Sequence, residues 1–278
     1  MATHLSANRV SQTFALSGAS HLLPIIGDPV AQVKSPAGLT HSLQAHGRDV
    51  ICVPMHVAPA HFAAVVRTLH ATHNADGFIA TVPHKFAAFD ACATVTPRAA
   101  LLRAVNIVRR NADGTWHGDM LDGAGFVGNA QQAGAQIAGA RALLAGAGGA
   151  GSAIALALLE AGVQSLAIHD ADTARRDSLI ARLSAQYAGR VTAGTRSTAG
   201  YTVVVNATPM GMRAADPLPL DTSTLDATMF VGDVITVPDV TPLLAAARAA
   251  GCQTQTGVDM FRAVLVLMVE FLLAPVPS

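Results

Sequence analysis

Apolar and polar positions alternate along this chain in two rhythms. Short apolar runs at 22–27 (LLPIIG), 50–57 (VICVPMHV) and 77–82 (GFIATV) read as strands. The longer amphipathic stretches between them, SPAGLTHSLQAHG and APAHFAAVVRTLHATH, read as helices. RAVNIVRR, then NADG, then TWHGD reads as a strand and a tight turn. From residue 141 the alternation is stricter. RALLAG, SLAIHD, RVTAG, VVVNAT and MFVGDV are expected strands, with helices over 151–162, 172–187 and 241–251. Strands alternating with helices predict parallel sheets in both halves. The change of rhythm between 122 and 140 puts a boundary there. A first domain over 1–123, a second over 124–258 and a terminal helix over 259–278 that returns to the first are expected.

Composition narrows the class. Half of the 278 residues are hydrophobic, 13% are charged, and acidic and basic residues cancel at 18 each. No basic stripe with interleaved aromatics exists to bind nucleic acid. The most apolar segment, AVLVLMVEFLLA, is short for a bilayer span and carries Glu270, so a buried terminal helix is expected instead of a membrane anchor. Cys52, Cys92 and Cys252 show neither metal-ligand spacing nor a disulfide framework, which fits a reducing cytoplasm and no bound metal. The first twenty residues lack an apolar signal core and read as a loose arm. A small-molecule substrate and a monomer or homodimer are expected.

The second half carries a nucleotide motif. In LLAGAGGAGSAIALALLEAG, Gly146, Gly148 and Gly151 fit G-x-G-x-x-G between an apolar strand and a helix of small residues. Glycines there let the backbone turn tightly and approach a pyrophosphate at the helix N-terminus, with Gly149 and Ala150 in the same turn. Asp170 stands 19 residues after Gly151, at the tip of the next strand, where an acid can bond the ribose hydroxyls of NAD and repel a 2′-phosphate. Arg175 and Arg176 follow and would favour NADP if they reached that tip. The expectation is NAD, with NADP second. Asp170 can also cap the following helix.

No Tyr-x-x-x-Lys pair and no Cys/His zinc cluster supplies acid–base chemistry. Only two lysines occur among eighteen basic residues, and one, Lys85, sits in TVPHK. An amine exchanges its proton near neutral pH when partly buried, whereas a guanidinium does not.

GDPVAQVKSP, TVPHK, AVN, GDMLDGAGF, GAGGAGSAIA, NATPMGM and VGDVITVPDVTPLL, in that order, resemble the shikimate dehydrogenase family over residues 22–274. The resemblance implies a parallel α/β substrate domain followed by a Rossmann domain. It implies hydride transfer between a nicotinamide cofactor and a ring hydroxyl of a shikimate- or quinate-like alcohol. It makes Lys85 and Asp122 the catalytic pair and places Ser35, Thr81 and Asn106 on the substrate. Asn206, Thr208 and Pro209 are placed along the nucleotide side, with Met260 near the nicotinamide. Several positions depart from the family. Val33 replaces a serine that holds the ring carboxylate and Ile79 an asparagine. Met120 and Leu121 replace an Asn-Thr pair, Thr236 a tyrosine and Val264 a glutamine. These changes predict a drier pocket and a substrate other than shikimate. A methylene-tetrahydrofolate dehydrogenase-like enzyme and a non-catalytic dinucleotide-binding regulator are the alternatives.

Overall fold

The computed structural model describes residues 16–275, so most of the expected N-terminal arm lies outside the described residues. The first half runs β1 (His21–Gly27), α1 (Ser35–Ala45), β2 (Val50–His56), α2 (Phe62–Ala71) and β3 (Gly77–Ala80). It continues through α3 (Lys85–Asp90), β4 (Thr94–Val95), α4 (Pro97–Leu102), β5 (Ile107–Arg110) and β6 (Trp116–Asp119) to α5 (Asp122–Gln132). The second half runs β7 (Arg141–Ala145), α6 (Gly149–Glu160), β8 (Ser165–His169), α7 (Thr173–Ser184), β9 (Val191–Ala193), β10 (Val203–Asn206), β11 (Phe230–Asp233), α8 (Pro242–Ala249) and β12 (Gln253–Gln255). The chain closes with α9 (Gly257–Leu273).

The first sheet has the order β2-β1-β3-β5-β6-β4 and the second β12-β11-β10-β7-β8-β9. The second is parallel throughout, with two three-strand halves wound outward from the β7/β10 junction, the doubly wound order of a dinucleotide fold. In the first sheet β1, β2 and β3 are parallel, but β5 runs antiparallel to both β3 and β6. The NADG turn explains the β5–β6 pair, since a turn so short can only reverse the chain into a hairpin; the β3–β5 pair departs from the expected parallel sheet as well.

Helix α5 joins the two halves because two glycines let it approach both neighbours. A Cβ on Gly123 would lie 2.0 Å from the Ala153 carbonyl oxygen of α6, and one on Gly125 would lie 2.9 Å from the Val264 nitrogen of α9. The terminal helix starts at a capping box, Thr256 Oγ1 accepting from the Asp259 N–H while Asp259 accepts from the Thr256 N–H at 3.0 Å. It ends on Arg109 of β5, whose guanidinium donates to the Phe271 and Ala274 carbonyls at 3.1 and 2.6 Å. The last helix is thereby tied to the first sheet at its far end. Among the described residues no helix is long and apolar enough to cross a membrane.

Candidate active site

The C-terminal end of β3 leads into Thr81-Val82-Pro83-His84, and this turn delivers Lys85 as the first residue of α3. His84 anchors the turn. It is buried, stacks on Phe62 with centroids 4.6 Å apart, and its Nε2 bonds the Val57 carbonyl at 2.7 Å. Lys85 is 8% exposed, and its Nζ donates to Asp122 Oδ2 at the start of α5. Asn106, 1% exposed, donates its amide N–H to Asp122 Oδ1 at 2.6 Å and accepts the Leu121 N–H at 3.0 Å. Three residues far apart in the chain thus form one buried cluster. The helix N-terminus further favours a carboxylate at position 122.

Asp119 fixes this corner from behind. It accepts from Thr96 Oγ1 at 2.5 Å, from Arg98 Nε and Nη2 at 2.8 and 2.5 Å and from the Met120 N–H at 2.7 Å. Burial pushes its carboxyl up, but the Arg98 and Thr96 bonds and the Arg98 charge outweigh this and hold it below the ordinary carboxylate value. Sequence reasoning did not single out Asp119, Arg98 or Thr96; the only signal was the Gly-Asp beginning GDMLD.

The remaining substrate-side residues separate into two sets. Ser35 opens α1 and is buried, and Thr81 is half-buried with its methyl against Gly27, where a Cβ would come within 2.5 Å. Val33 is half-buried, while Lys34 is exposed. Ile79, Met120 and Leu121 are at most 3% exposed and belong to the main apolar core. Val264 joins the same core with its side chain over Gly125. Ile79, Met120, Leu121 and Val264 are therefore core residues, and Val33 is the half-buried one among the apolar replacements. The thiols add no nucleophile: burial pushes both Cys52 and Cys92 up to about 12.

On the nucleotide side the glycine turn has the expected shape. Gly146 has φ +101°, and a Cβ on Gly151 would lie 2.0 Å from the Gly146 carbonyl oxygen. Gly148 caps α6 without a side-chain bond, so the first N–H groups of the helix, Gly149 and Ala150 among them, face the turn. These residues fit a pyrophosphate. The turn also meets the catalytic candidates: a Cβ on Gly149 would lie 2.8 Å from Lys85 Cδ and 3.2 Å from Lys85 Cβ. Asn206 is fully buried and spends its side chain within the protein. It donates to Asp233 and the Met210 carbonyl and accepts from Thr208, so it shapes the loop that carries Thr208 and Pro209. Met260 is buried near the start of α9.

Asp170 does not stand free at the tip of β8. It is 5% exposed and accepts from the Ala147 and Asp172 N–H groups at 2.7 and 2.9 Å and from Arg175 Nε and Nη2 at 3.1 and 2.7 Å. Burial pushes its carboxyl up, but these partners hold it below the ordinary value. The cap of α7 is Asp172 instead.

The family model described as shikimate dehydrogenase substrate binding domain matches residues 25–108. A shikimate dehydrogenase (NADP(+)) of Acidiphilium cryptum is 38% identical over 249 residues, 88% of this chain and 87% of that protein. The chain belongs to the shikimate dehydrogenase family. It is an oxidoreductase that moves a hydride between a nicotinamide cofactor and a ring hydroxyl or ketone of a cyclic alcohol. Among solved structures, a quinate dehydrogenase of Corynebacterium glutamicum in complex with NAD superposes with a TM-score of 0.81 at 30% identity, covering 93% of this chain and 95% of that one. The ligand-free 5-ketofructose reductase of a Gluconobacter strain superposes with a TM-score of 0.79 at 28% identity and the same coverage.

The expected preference for NAD is overturned. Three further relatives at 35 to 36% identity carry the same NADP(+) name as the Acidiphilium enzyme. The physical reason lies at the tip of β8. Asp170 is neutralised by Arg175, whose side chain stays 47% exposed, so that tip presents a guanidinium rather than a free carboxylate.

Proposed function

We propose that the chain interconverts a hydroxyl and a ketone on the ring of a cyclic polyol, using NADP, with Lys85 and Asp122 handling the proton. The Lys85–Asp122–Asn106 cluster carries this reading, because it places a buried amine, its orienting carboxylate and an amide in contact with the nucleotide turn at Gly149. A dinucleotide held at the glycine turn would supply or take up the hydride of the carbinol carbon at its nicotinamide C4. In the reducing direction the Lys85 ammonium donates to the ketone oxygen as negative charge develops there, and it takes the proton back in oxidation. Asp122 holds the ammonium in place, and Asn106 holds the second oxygen of Asp122, so the carboxylate cannot swing away from the lysine.

The substrate ring is less polar at its far end than shikimate. Val33 offers no donor where a carboxylate would need one, and exposed Lys34 is directed to solvent. A carboxylate moved into a site without donors loses several kcal/mol of hydration. Arg175 is the group for a 2′-phosphate, since a guanidinium pairs well with phosphate oxygens and already carries a carboxylate that fixes its plane.

The test is a panel of shikimate, quinate and less oxygenated cyclic alcohols with NADP and NAD, followed by absorbance of the reduced cofactor. NADP-dependent oxidation of at least one ring alcohol is expected, with a less polar alcohol ahead of shikimate and quinate, whose carboxylates meet the same lack of donors. Tight dinucleotide binding with no turnover of any ring alcohol or ketone would instead identify a regulator. Arg175→Ala should raise the KM for NADP about tenfold, the loss of one charge-assisted contact, and leave that for NAD nearly unchanged.

A further inference from the structure

Strands β10 and β11 run side by side and place Asn206 directly opposite Asp233, each as the last residue of its strand. Both are fully buried. Asp233 Oδ2 accepts the Asn206 amide N–H at 3.1 Å and the Thr241 hydroxyl, the cap of α8, at 2.8 Å, while Oδ1 accepts the Ile235 N–H at 3.0 Å. With its N–H donors turned to Asp233 and the Met210 carbonyl, Asn206 turns its oxygen the other way. That oxygen accepts from the Thr208 N–H at 3.0 Å and the Thr208 hydroxyl at 2.7 Å. Thr208 in turn lies on the glycine turn. A Cβ on Gly146 would sit 3.1 Å from Thr208 Cγ2 and 2.8 Å from the Ala207 carbonyl. An unbroken line of contacts therefore runs from α8 and β11 through Asp233, Asn206 and Thr208 to Gly146.

A carboxylate only accepts, so it allows a single orientation of the facing amide. We propose that Asp233 is a positioning residue of the dinucleotide site: it fixes the Asn206 amide, which holds Thr208 against the Gly146 turn, although Asp233 itself lies behind the strand ends. This rests on the reading that the turn binds a nicotinamide dinucleotide. An amide at 233 has one oxygen for the three donors that Asp233 serves, and when that oxygen keeps the Ile235 N–H its NH₂ faces the donor of Asn206. Asn206 then flips and turns its NH₂ toward the Thr208 N–H, and the loop loses both bonds that shape it.

The experiment measures dissociation constants for NADPH by nicotinamide fluorescence, alongside melting temperatures, in four proteins: wild type, Asp233→Asn, the swap Asn206→Asp with Asp233→Asn, and Thr208→Val. Asp233→Asn should weaken NADPH about tenfold. The swap restores an N–H-to-carboxylate bond between the two strands in the opposite sense and leaves acceptors facing Thr208. It should recover binding to within about threefold of wild type, the Met210 carbonyl losing its donor and the Thr241 hydroxyl its acceptor. Thr208→Val keeps the methyl against Gly146 and should weaken NADPH about tenfold with an unchanged melting temperature. KM for the dinucleotide should move more than kcat in each weakened variant. Wild-type NADPH affinity in Asp233→Asn, even with a lowered melting temperature, overturns the proposal, as does a swap no better than the single variant. If Asp233→Asn fails to fold, unchanged binding in Thr208→Val overturns it alone. A wild type that binds neither NADPH nor NADH removes the nucleotide reading, and the inference with it.

Discussion

The two six-stranded halves build their chemistry from different parts of the chain. In the second half the nucleotide turn is made of backbone: Gly146 at positive φ, Gly151 against the Gly146 carbonyl and the open first turn of α6. In the first half the site is made of side chains carried by separate elements: Lys85 from α3, Asn106 from the approach to β5 and Asp122 from the start of α5. A backbone site needs a contiguous run of glycine, so it can be altered at one place only by adding a Cβ. A side-chain site is assembled by the fold and can be altered one group at a time. The two meet where Lys85 crosses Gly149, and the variants below test whether they remain separable there.

The largest effect is expected at Lys85. Lys85→Ala should lower kcat by about 100- to 10,000-fold, the usual worth of a general acid–base group, and leave dinucleotide affinity unchanged. Steady-state rates beside a cofactor titration decide it. A kcat near wild type would move the proton transfer elsewhere, and a matching loss of dinucleotide affinity would mean that the halves are not separable.

Gly149→Ala sharpens the comparison. Read as part of the glycine motif, Gly149 makes room for a phosphate, and a Cβ should then cost dinucleotide affinity. The contact at 2.8 Å to Lys85 Cδ says otherwise. The lysine is buried and held at its tip by Asp122, so it cannot yield without leaving its partner. A displacement of about 1 Å at a reacting group costs on the order of 100-fold in rate. We expect kcat to fall by about that factor, with dinucleotide affinity within about threefold of wild type. The reverse pattern, weak binding at normal kcat, would return Gly149 to the phosphate.

A third test concerns what stiffens the side-chain site. Arg98→Ala leaves the buried Asp119 carboxylate with fewer donors and should destabilise the protein by about 1–3 kcal/mol at neutral pH, Arg98 being partly solvated. In the wild type Asp119 is held below its ordinary value, so its contribution is present above about pH 4 and is lost as pH falls through the depressed folded value. In the variant, protonation relieves the uncompensated charge. The gap between the two proteins should therefore be widest near neutrality and close in acid, as read by denaturant melts across pH. A gap independent of pH would mean that Arg98 acts through packing.

The same division explains what the sequence made legible. Apolar runs placed β1, β2, β7, β8, β10 and β11 to within two residues, because buried parallel strands are continuous hydrophobic segments. α3, β4, α4 and β12 span six residues or fewer and carry no period to read. The glycine turn was legible because all its parts are contiguous. Asp170 misled for the opposite reason: its position at a strand tip can be counted, but the closure of Arg175 onto it depends on where α7 starts. Asp119 and Asp233 were invisible because an aspartate in a sequence does not show whether it will be buried with three or four donors.

The smallest expected effect lies at the far end of the substrate side, where Val33 and Val264 stand. Ile79 and Leu121 sit in the core, and changing them would disturb packing as well as polarity. Val33 is the better target, with Val264, buried in that same core, changed alongside it. Val33 is half-buried in the loop before α1, so a serine there removes little packing. Val264 fills the space over Gly125, so a glutamine there must repack the contact between α9 and α5. A hydrogen bond to a charged group contributes about 1.5–3 kcal/mol, of which long-chain ordering takes back a part. Val33→Ser with Val264→Gln should therefore raise kcat/KM for shikimate about tenfold, through KM rather than kcat, because the Lys85–Asp122 corner is untouched. Activity on a less polar ring alcohol should fall at the same time, since the new groups find no partner on it. Efficient turnover of shikimate by the wild type, unimproved in the double variant, would show that its carboxylate is held by other groups and that the drier end of the site is packing alone.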